Sequence, residues 1–503
     1  MEREDSIRSH PTHAGADSHT IVSYSNGEEL YCCNKSEMVK ELKKQTRLAG
    51  PLIAVTFLLF SFNIISVIFV GHLDKVSLAS ASLANAFAWA TGFSFMLGMG
   101  GALDTLCGQA YGAKQYNIVG VHMQRAMAVL AFMSLPISLI WAFTAQIFII
   151  CKQDREISMH AGVYARWLIP SLLPYGLIQC QLRFLQDQNI TLPLMISTGA
   201  SSLVHILVCW TLILKLEFGN RGAALSTAIS YWFNVFILAM YIKLSPTCTQ
   251  TWTGFSIDGR KKLLSFLKLG IPSALMVCLE FWAYECLLLM SGLLPNPKLE
   301  TSMMSISLNI CGVAFRIPYG FGSAVSTRVS NELGAGNPRA ALLAVKVVML
   351  LAVTQGVSLS LITVALRRYL GFLYSNDHQV ITYLASVIPI VAVSNFIDGI
   401  QGVLSGTARG CGLQKLAAWV TLGSYYLVGL PSAILLTFVF KVGGKGLWLG
   451  IICGSSFHAF LLVVITMRTN WKLQAVKARD RVHGSTVSTS TESNRHDEEN
   501  PQL

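Results

Sequence analysis

Of the 503 residues, 53% are hydrophobic and only 13% are Asp, Glu, Lys or Arg, about half the charged share of an ordinary soluble domain. With a mean hydropathy of +0.52, this excludes a cytosolic globular enzyme and equally a disordered scaffold, which would be polar and charged. The net charge of +12 does not point to nucleic acid, because the basic residues lie in short segments between apolar runs, where membrane topology accounts for them.

Residues 1–46 are polar and lack the apolar core of a signal peptide, so the first apolar run is expected to insert as an internal signal. The twelve cysteines are scattered, mostly inside apolar stretches. They form neither a disulfide framework nor a zinc-type CxxC pair. Cys32 and Cys33, adjacent in the polar tail, read as unpaired thiols, with palmitoylation as the alternative.

A membrane helix needs about 20 mostly apolar residues. Twelve runs qualify, at roughly 48–70, 77–103, 124–150, 160–182, 191–215, 221–242, 264–293, 302–326, 343–366, 379–405, 416–440 and 446–467. The expected organisation is an all-α membrane protein. A tail (1–46) precedes a six-helix lobe (47–243), a linker (244–263), a second six-helix lobe (264–468) and a tail (469–503) with a Ser/Thr-rich run at Ser485–Thr491. An even number of spans puts both tails and the linker on one side. Lys and Arg on that side outnumber those on the other by more than two to one, which predicts that both termini are cytosolic. The sequon Asn189-Ile190-Thr191 then faces the cytosol and carries no glycan.

The chain repeats itself. At an offset of 222, Gly98, Gly100, Ala102, Thr105, Gly112 and Ala113 fall on Gly320, Gly322, Ala324, Thr327, Gly334 and Ala335. An offset of 221 lays Pro51 on Pro272, which predicts equivalent kinks, and one of 224 lays Gly222 on Gly446. The two halves enter the membrane in the same sense, so a pseudo-twofold axis along the membrane normal should relate them, with a cavity between. Duplication around a central site is a transporter pattern.

An acid at the bilayer centre costs about 2.5–3.5 kcal/mol on insertion scales. Glu280 sits mid-span in the seventh run and Asp398 inside the tenth. Their counterparts in the first half are Leu59 and a position near Tyr175, and the first run has no acid between Leu48 and Val70. Acidity is thus confined to one half of a duplicated fold, as a specialised function would have it. Two readings stand. Arg316, in the eighth run, could pair with one acid as a structural ion pair. Alternatively, Glu280 and Asp398 titrate, since two acids in a low-dielectric cavity resist joint ionisation. The candidate cavity residues are Phe281, Trp282, Tyr284, Asn395 and Tyr175, of which the first three could stack on a flat or cationic solute or serve packing. Glu285 lies about 140° round the helix from Glu280. His205 reads as a satisfied polar residue. The sequence has no GxxxxGK[ST] motif for ATP, no TVGYG-type filter and no His/Cys cluster for a metal.

Four stretches, LDTLCGQAYGA at 103–113, KLGIPSALM at 268–276 with CLE at 278–280, SGLLPNPKLE at 291–300 and STRVSNELGAGNP at 326–338, resemble the plant branch of the multidrug and toxic compound extrusion (MATE) transporters. The resemblance covers about residues 40–470. It implies two six-helix lobes around a V-shaped cavity, alternating access and proton-coupled antiport. It also implies coupling acids on helices seven and ten, which Glu280 and Asp398 match; the helix-one acid of some bacterial members is absent. The implied solutes are alkaloids, flavonoids, hormones and xenobiotics, exported by a monomer in the plasma or vacuolar membrane. A proton gradient drives it, with no cofactor and no nucleic-acid partner. A flippase for lipid-linked solutes and a channel are the alternatives from other classes.

Overall fold

The computed structural model describes residues 35–374 and 377–484, so Cys32, Cys33 and the Ser485–Thr491 run lie outside the described residues. These residues form twelve long helices: α1 (Lys35–Gly71), α2 (Val76–Gly112), α3 (Tyr116–Ala142), α4 (155–187), α5 (Leu192–Lys215), α6 (Gly219–Leu244), α7 (Leu263–Ser291), α8 (Pro297–Gly334), α9 (Pro338–Ala365), α10 (His378–Cys411), α11 (Gln414–Val439) and α12 (Gly444–Arg468). Ten are apolar and long enough to cross a membrane; α4 and α8 are not among them. Those two carry Arg183, Asp187, Arg316, Arg328 and Glu332, and these polar faces turn inward against other helices rather than towards lipid.

Helix ends differ from the expected ones where local chemistry overrides hydropathy. The tenth run was expected to stop near 405, at the polar Ser405-Gly406-Thr407 stretch. α10 instead continues to Cys411 and closes at Gly412, whose φ of +77° is the left-handed cap that glycine adopts freely. The Leu413 amide there donates to the Ala408 carbonyl at 2.8 Å, a Schellman-type ending. α1 starts at Lys35, so the last part of the expected N-terminal tail is helical.

The C-terminal tail is also corrected in part. Residues 471–484 form a helix, α13, whose Trp471, Ala475 and Ala478 pack with Leu342 and Val345 of α9. The linker between the lobes is folded onto the first lobe. Gln124 Nε2 donates to the Gly254 carbonyl and Gln124 Oε1 accepts from the Ser256 amide, both at 2.8 Å. This segment, α13 and the start of α1 mark one face of the molecule, the linker side.

The lobes, α1–α6 and α7–α12, are joined near that face. The ends of α2 and α8 cross there, and each reaches the end of a helix in the opposite lobe. Gln109 of α2 donates to the Gly410 carbonyl of α10 at 3.1 Å, and Asn331 of α8 donates to the Asp187 carbonyl of α4 at 3.0 Å. Thr105 donates to the Arg409 carbonyl, and Thr327 to Asp187 Oδ1. Farther along, the lobes meet at Thr56 with the Arg316 carbonyl, and at Trp282 with the Ala90 carbonyl. Beyond that level no hydrogen bond joins them among the described residues.

Candidate functional site

The acids of the second lobe lie on α7 and α10 at similar depth. Glu280 is 17 residues from the start of α7 at Leu263 and Asp398 is 13 from the end of α10 at Cys411, about 25 Å and about 20 Å from the linker side at 1.5 Å per residue. The longer α10 is what brings the depths together.

Asp398 is buried. Its Oδ2 accepts from the Tyr284 hydroxyl at 3.0 Å, from the Ser394 hydroxyl at 3.1 Å and from the Cys311 thiol at 3.8 Å. Its Oδ1 has no partner. Tyr284 lies one turn along α7 from Glu280, on the same face, so its hydroxyl links the α7 segment carrying Glu280 to Asp398. Glu280 is half-buried, with the amide of Gln401 beside it. Gln401 Oε1 accepts from the Tyr425 hydroxyl at 2.9 Å, whereas Gln401 Nε2 is buried and unpartnered.

Further groups share this condition. Both polar atoms of Asn395 and the hydroxyls of Ser405 and Ser455 are buried without partners. Asn395, Asp398, Gln401 and Ser405 follow one another at spacings of three and four, a single stripe along α10. Buried polar groups are nearly always hydrogen-bonded, so such a stripe calls for water, protons or solute to complete it. The stripe was readable in the sequence from that spacing; the contributions of Cys311, Tyr425 and Ser455 were not, since they come from three other helices.

The remaining expected residues make their contacts with groups other than the acids. Arg316 pairs with neither: its guanidinium lies over the Phe60 ring, 4.5 Å from the centroid, and its Nε donates to the Gly312 carbonyl. The ion-pair reading therefore gives way to a cation–π contact between the lobes. Tyr175 sits in a first-lobe aromatic cluster, its ring 4.7 Å from Phe93 and 5.6 Å from Tyr231. Phe281 stacks with Trp89 of α2 at 6.1 Å and 22°, and the Trp282 indole donates to the Ala90 carbonyl at 2.8 Å. Trp89–Phe93 is a π-helical turn, a distortion often met at functional positions. His205 is satisfied as expected, with Ser66, Ser230 and the Phe62 carbonyl within 3.1 Å.

A second buried charge cluster closes the linker side. Asp104 takes Arg183 of its own lobe at 3.2 Å and Arg409 of the other lobe at 3.0 Å. Arg328 of α8 grips Glu41 of α1 and Glu332 of its own helix. No group of His, Cys, Asp and Glu able to hold a metal occurs among the described residues.

The MatE family model matches residues 51–211 and 272–435. The two matches begin at Pro51 and Pro272, the pair set by the internal repeat. Protein DETOXIFICATION 16 of Arabidopsis thaliana is 52% identical over 451 residues, covering 90% of this chain and 93% of that protein. Protein DETOXIFICATION 15 of the same plant is 50% identical over 453 residues, covering 90% and 93%. The crystal structure of the eukaryotic MATE transporter AtDTX14 superposes with a TM-score of 0.86 at 42% identity, covering 89% of this chain and all of that one. An outward-facing multidrug resistance MATE transporter of the MOP superfamily, at 17% identity, shares the fold with a TM-score of 0.75 over 89% of this chain and 97% of its own. Two repeat-related lobes, a duplicated family match and plant relatives at half identity lead to one conclusion: this chain belongs to the MatE family and is a multi-pass membrane transporter, not an enzyme.

Proposed function

We propose that this protein is a proton-coupled antiporter that exports organic solutes, such as alkaloids, flavonoids and xenobiotics, from the cytosol. Glu280 and Asp398 are its proton-binding groups. The observation that carries this reading is the incomplete polar stripe on α10: Asp398 Oδ2 accepts three hydrogen bonds and Oδ1 none, and both polar atoms of Asn395 and the Nε2 of Gln401 are unpartnered beside it along the helix. When both acids are charged, the site favours a cationic or polarisable solute. When protons arrive from the acidic side, the charge is lost and the solute leaves. A ligand shifts such a cycle only by its differential affinity for the two states. A coupling of about 1–3 kcal/mol corresponds to roughly 5–150-fold in affinity.

In this cycle the linker-side contacts around Asp104 hold the arrangement that faces away from the linker. They must open for the solute to enter from the cytosol. The excess of Lys and Arg on the linker side supports cytosolic termini, in either the plasma or the vacuolar membrane, and the protein works as a monomer. The experiment is uptake into proteoliposomes under an imposed pH gradient, across a panel of alkaloids, flavonoids and organic acids. Gradient-dependent uptake of at least one class is expected. Uptake of every transported solute independent of the gradient would overturn proton coupling.

A further inference from the structure

A groove of about 730 Å³ lies on the flank of the first lobe near the linker side, away from the acids of the second lobe. Helix α4 forms its floor at Gln181, and α3 and α6, both packed on α4, form its walls. The small side chains of Ala131 and Ala239 leave the space open, and Trp252 and Phe255 of the linker border it at one end. The volume falls within the range of about 300–1,000 Å³ typical of sites for drug-sized ligands.

The groove opens towards lipid. Phe132 of α3 and Phe236 of α6 are 66% and 63% exposed on the same two helices, and exposed apolar surface on spanning helices faces acyl chains. Trp252 and Phe255, ring centroids 5.2 Å apart, stand where aromatic side chains mark the interface between lipid and water. Lys243, in the last turn of α6, borders the groove, is exposed and forms no ion pair among the described residues. Gln181 is buried. It donates one amide hydrogen to the Val235 carbonyl, and its Oε1 has no partner. Its second amide hydrogen is available for an ester carbonyl, and Oε1 for a water. In the second lobe, the segment after α12 folds as α13 and packs Trp471 against α9. In the first lobe, the segment after α6 leaves this groove.

We infer that the groove holds an acyl chain of one anionic phospholipid from the linker-side leaflet, with the phosphate at Lys243 and the glycerol ester region at Gln181 and Trp252. The positive charge at the rim, the aromatic pair and the lipid-facing mouth together select this occupant over a soluble one. Because Gln124 clasps the linker through Gly254 and Ser256 beside the groove, the lipid sits against the strap that connects the lobes.

The test is native mass spectrometry of the full-length protein with added dioleoyl phosphatidylglycerol or dioleoyl phosphatidylcholine. One phosphatidylglycerol should be retained per chain, about fivefold more readily than phosphatidylcholine, the factor that one Lys near an anionic lipid supplies. Lys243→Gln, a change at an exposed side chain, should abolish that preference. Ala131→Trp, which fills the groove, should lose the retained lipid of either kind, and Ala239→Phe provides the same loss from the opposite wall should Ala131→Trp not fold. Equal retention of the two lipids by the unaltered protein would overturn the proposal, as would a preference unchanged by Lys243→Gln. If deletion of residues 1–34 increases phosphatidylglycerol retention, the chain's own terminus fills the groove in the intact protein and the proposal fails.

Discussion

Asp104 and Ser326 occupy equivalent positions of the two repeats, 222 residues apart, and they touch: the Ser326 hydroxyl donates to Asp104 Oδ2 at 3.2 Å. Two equivalent residues can meet only near the axis that relates their repeats, so the pseudo-twofold passes beside this pair. At the same place the repeats have diverged. The first supplies an acid that holds Arg183 and Arg409, and the second supplies a hydroxyl that donates to the same carboxylate.

Asp104→Asn leaves two buried arginines without their shared anion. Breaking a buried pair by removing one partner costs about 3–5 kcal/mol, here drawn from contacts that hold the linker side shut. The buried Cys411, beside Arg409 and Gly412 at the end of α10, is the reporter. Peptide-level mass spectrometry should find it slow to react with a membrane-impermeant maleimide in the unaltered protein and faster in Asp104→Asn. Equal rates would show that Asp104 does not hold this end closed.

Gly112 and Gly334 are a second repeat-related pair, and their close contacts are reciprocal. A Cβ on Gly112 would strike the Asn331 carbonyl oxygen, and one on Gly334 would strike that of Gln109. Both obstacles are backbone and cannot swing aside. Gly112→Ala and Gly334→Ala should each destabilise the protein by about 1–3 kcal/mol, the usual cost of overpacking. Gly312→Ala, with nothing within 4 Å in a helix, should stabilise by up to about 1 kcal/mol. Thermal melting in detergent distinguishes these outcomes.

Much of this crossing was legible in the sequence. The Gly/Ala/Thr matches between 98–113 and 320–335 already fixed the repeat, and with it the lobes and their symmetry. The charge cluster was not legible, because Asp104, Arg183 and Arg409 are separated by 79 to 305 residues and only the crossing of α2, α4 and α10 assembles them. The surroundings of Tyr175 and Arg316 were not legible for a related reason. Sequence spacing gives the face a residue occupies along its own helix, whereas the neighbours it meets, Phe93 of the same lobe for Tyr175 and Phe60 across the lobe interface for Arg316, depend on how helices pack.

Arg316 lies over Phe60 rather than on an acid. Arg316→Gln should therefore cost about 0.5–2 kcal/mol of stability, the range for a cation–π contact, and leave the pH dependence of transport unchanged. A displaced pH profile would reinstate the ion pair.

Tyr284→Phe removes one of three donors to Asp398 Oδ2. Loss of a buried hydrogen-bond partner costs about 1–3 kcal/mol. Transport should slow, while membrane insertion and solubilised yield stay normal, since the ring still packs 6.3 Å from Tyr425. Full transport rates would show that the link between α7 and Asp398 is dispensable.

The most direct test of the coupling site is pH-gradient-driven uptake by Glu280→Gln and Asp398→Asn in proteoliposomes, compared with the unaltered chain and with Glu285→Gln. Each of the first two changes fixes a neutral side chain of similar size and hydrogen-bonding capacity. Both variants should insert and fold normally yet lose gradient-driven uptake, while Glu285→Gln, off the Glu280 face of α7, retains most of it. If Glu280→Gln and Asp398→Asn reach the membrane normally and transport with full pH dependence, the protons bind elsewhere.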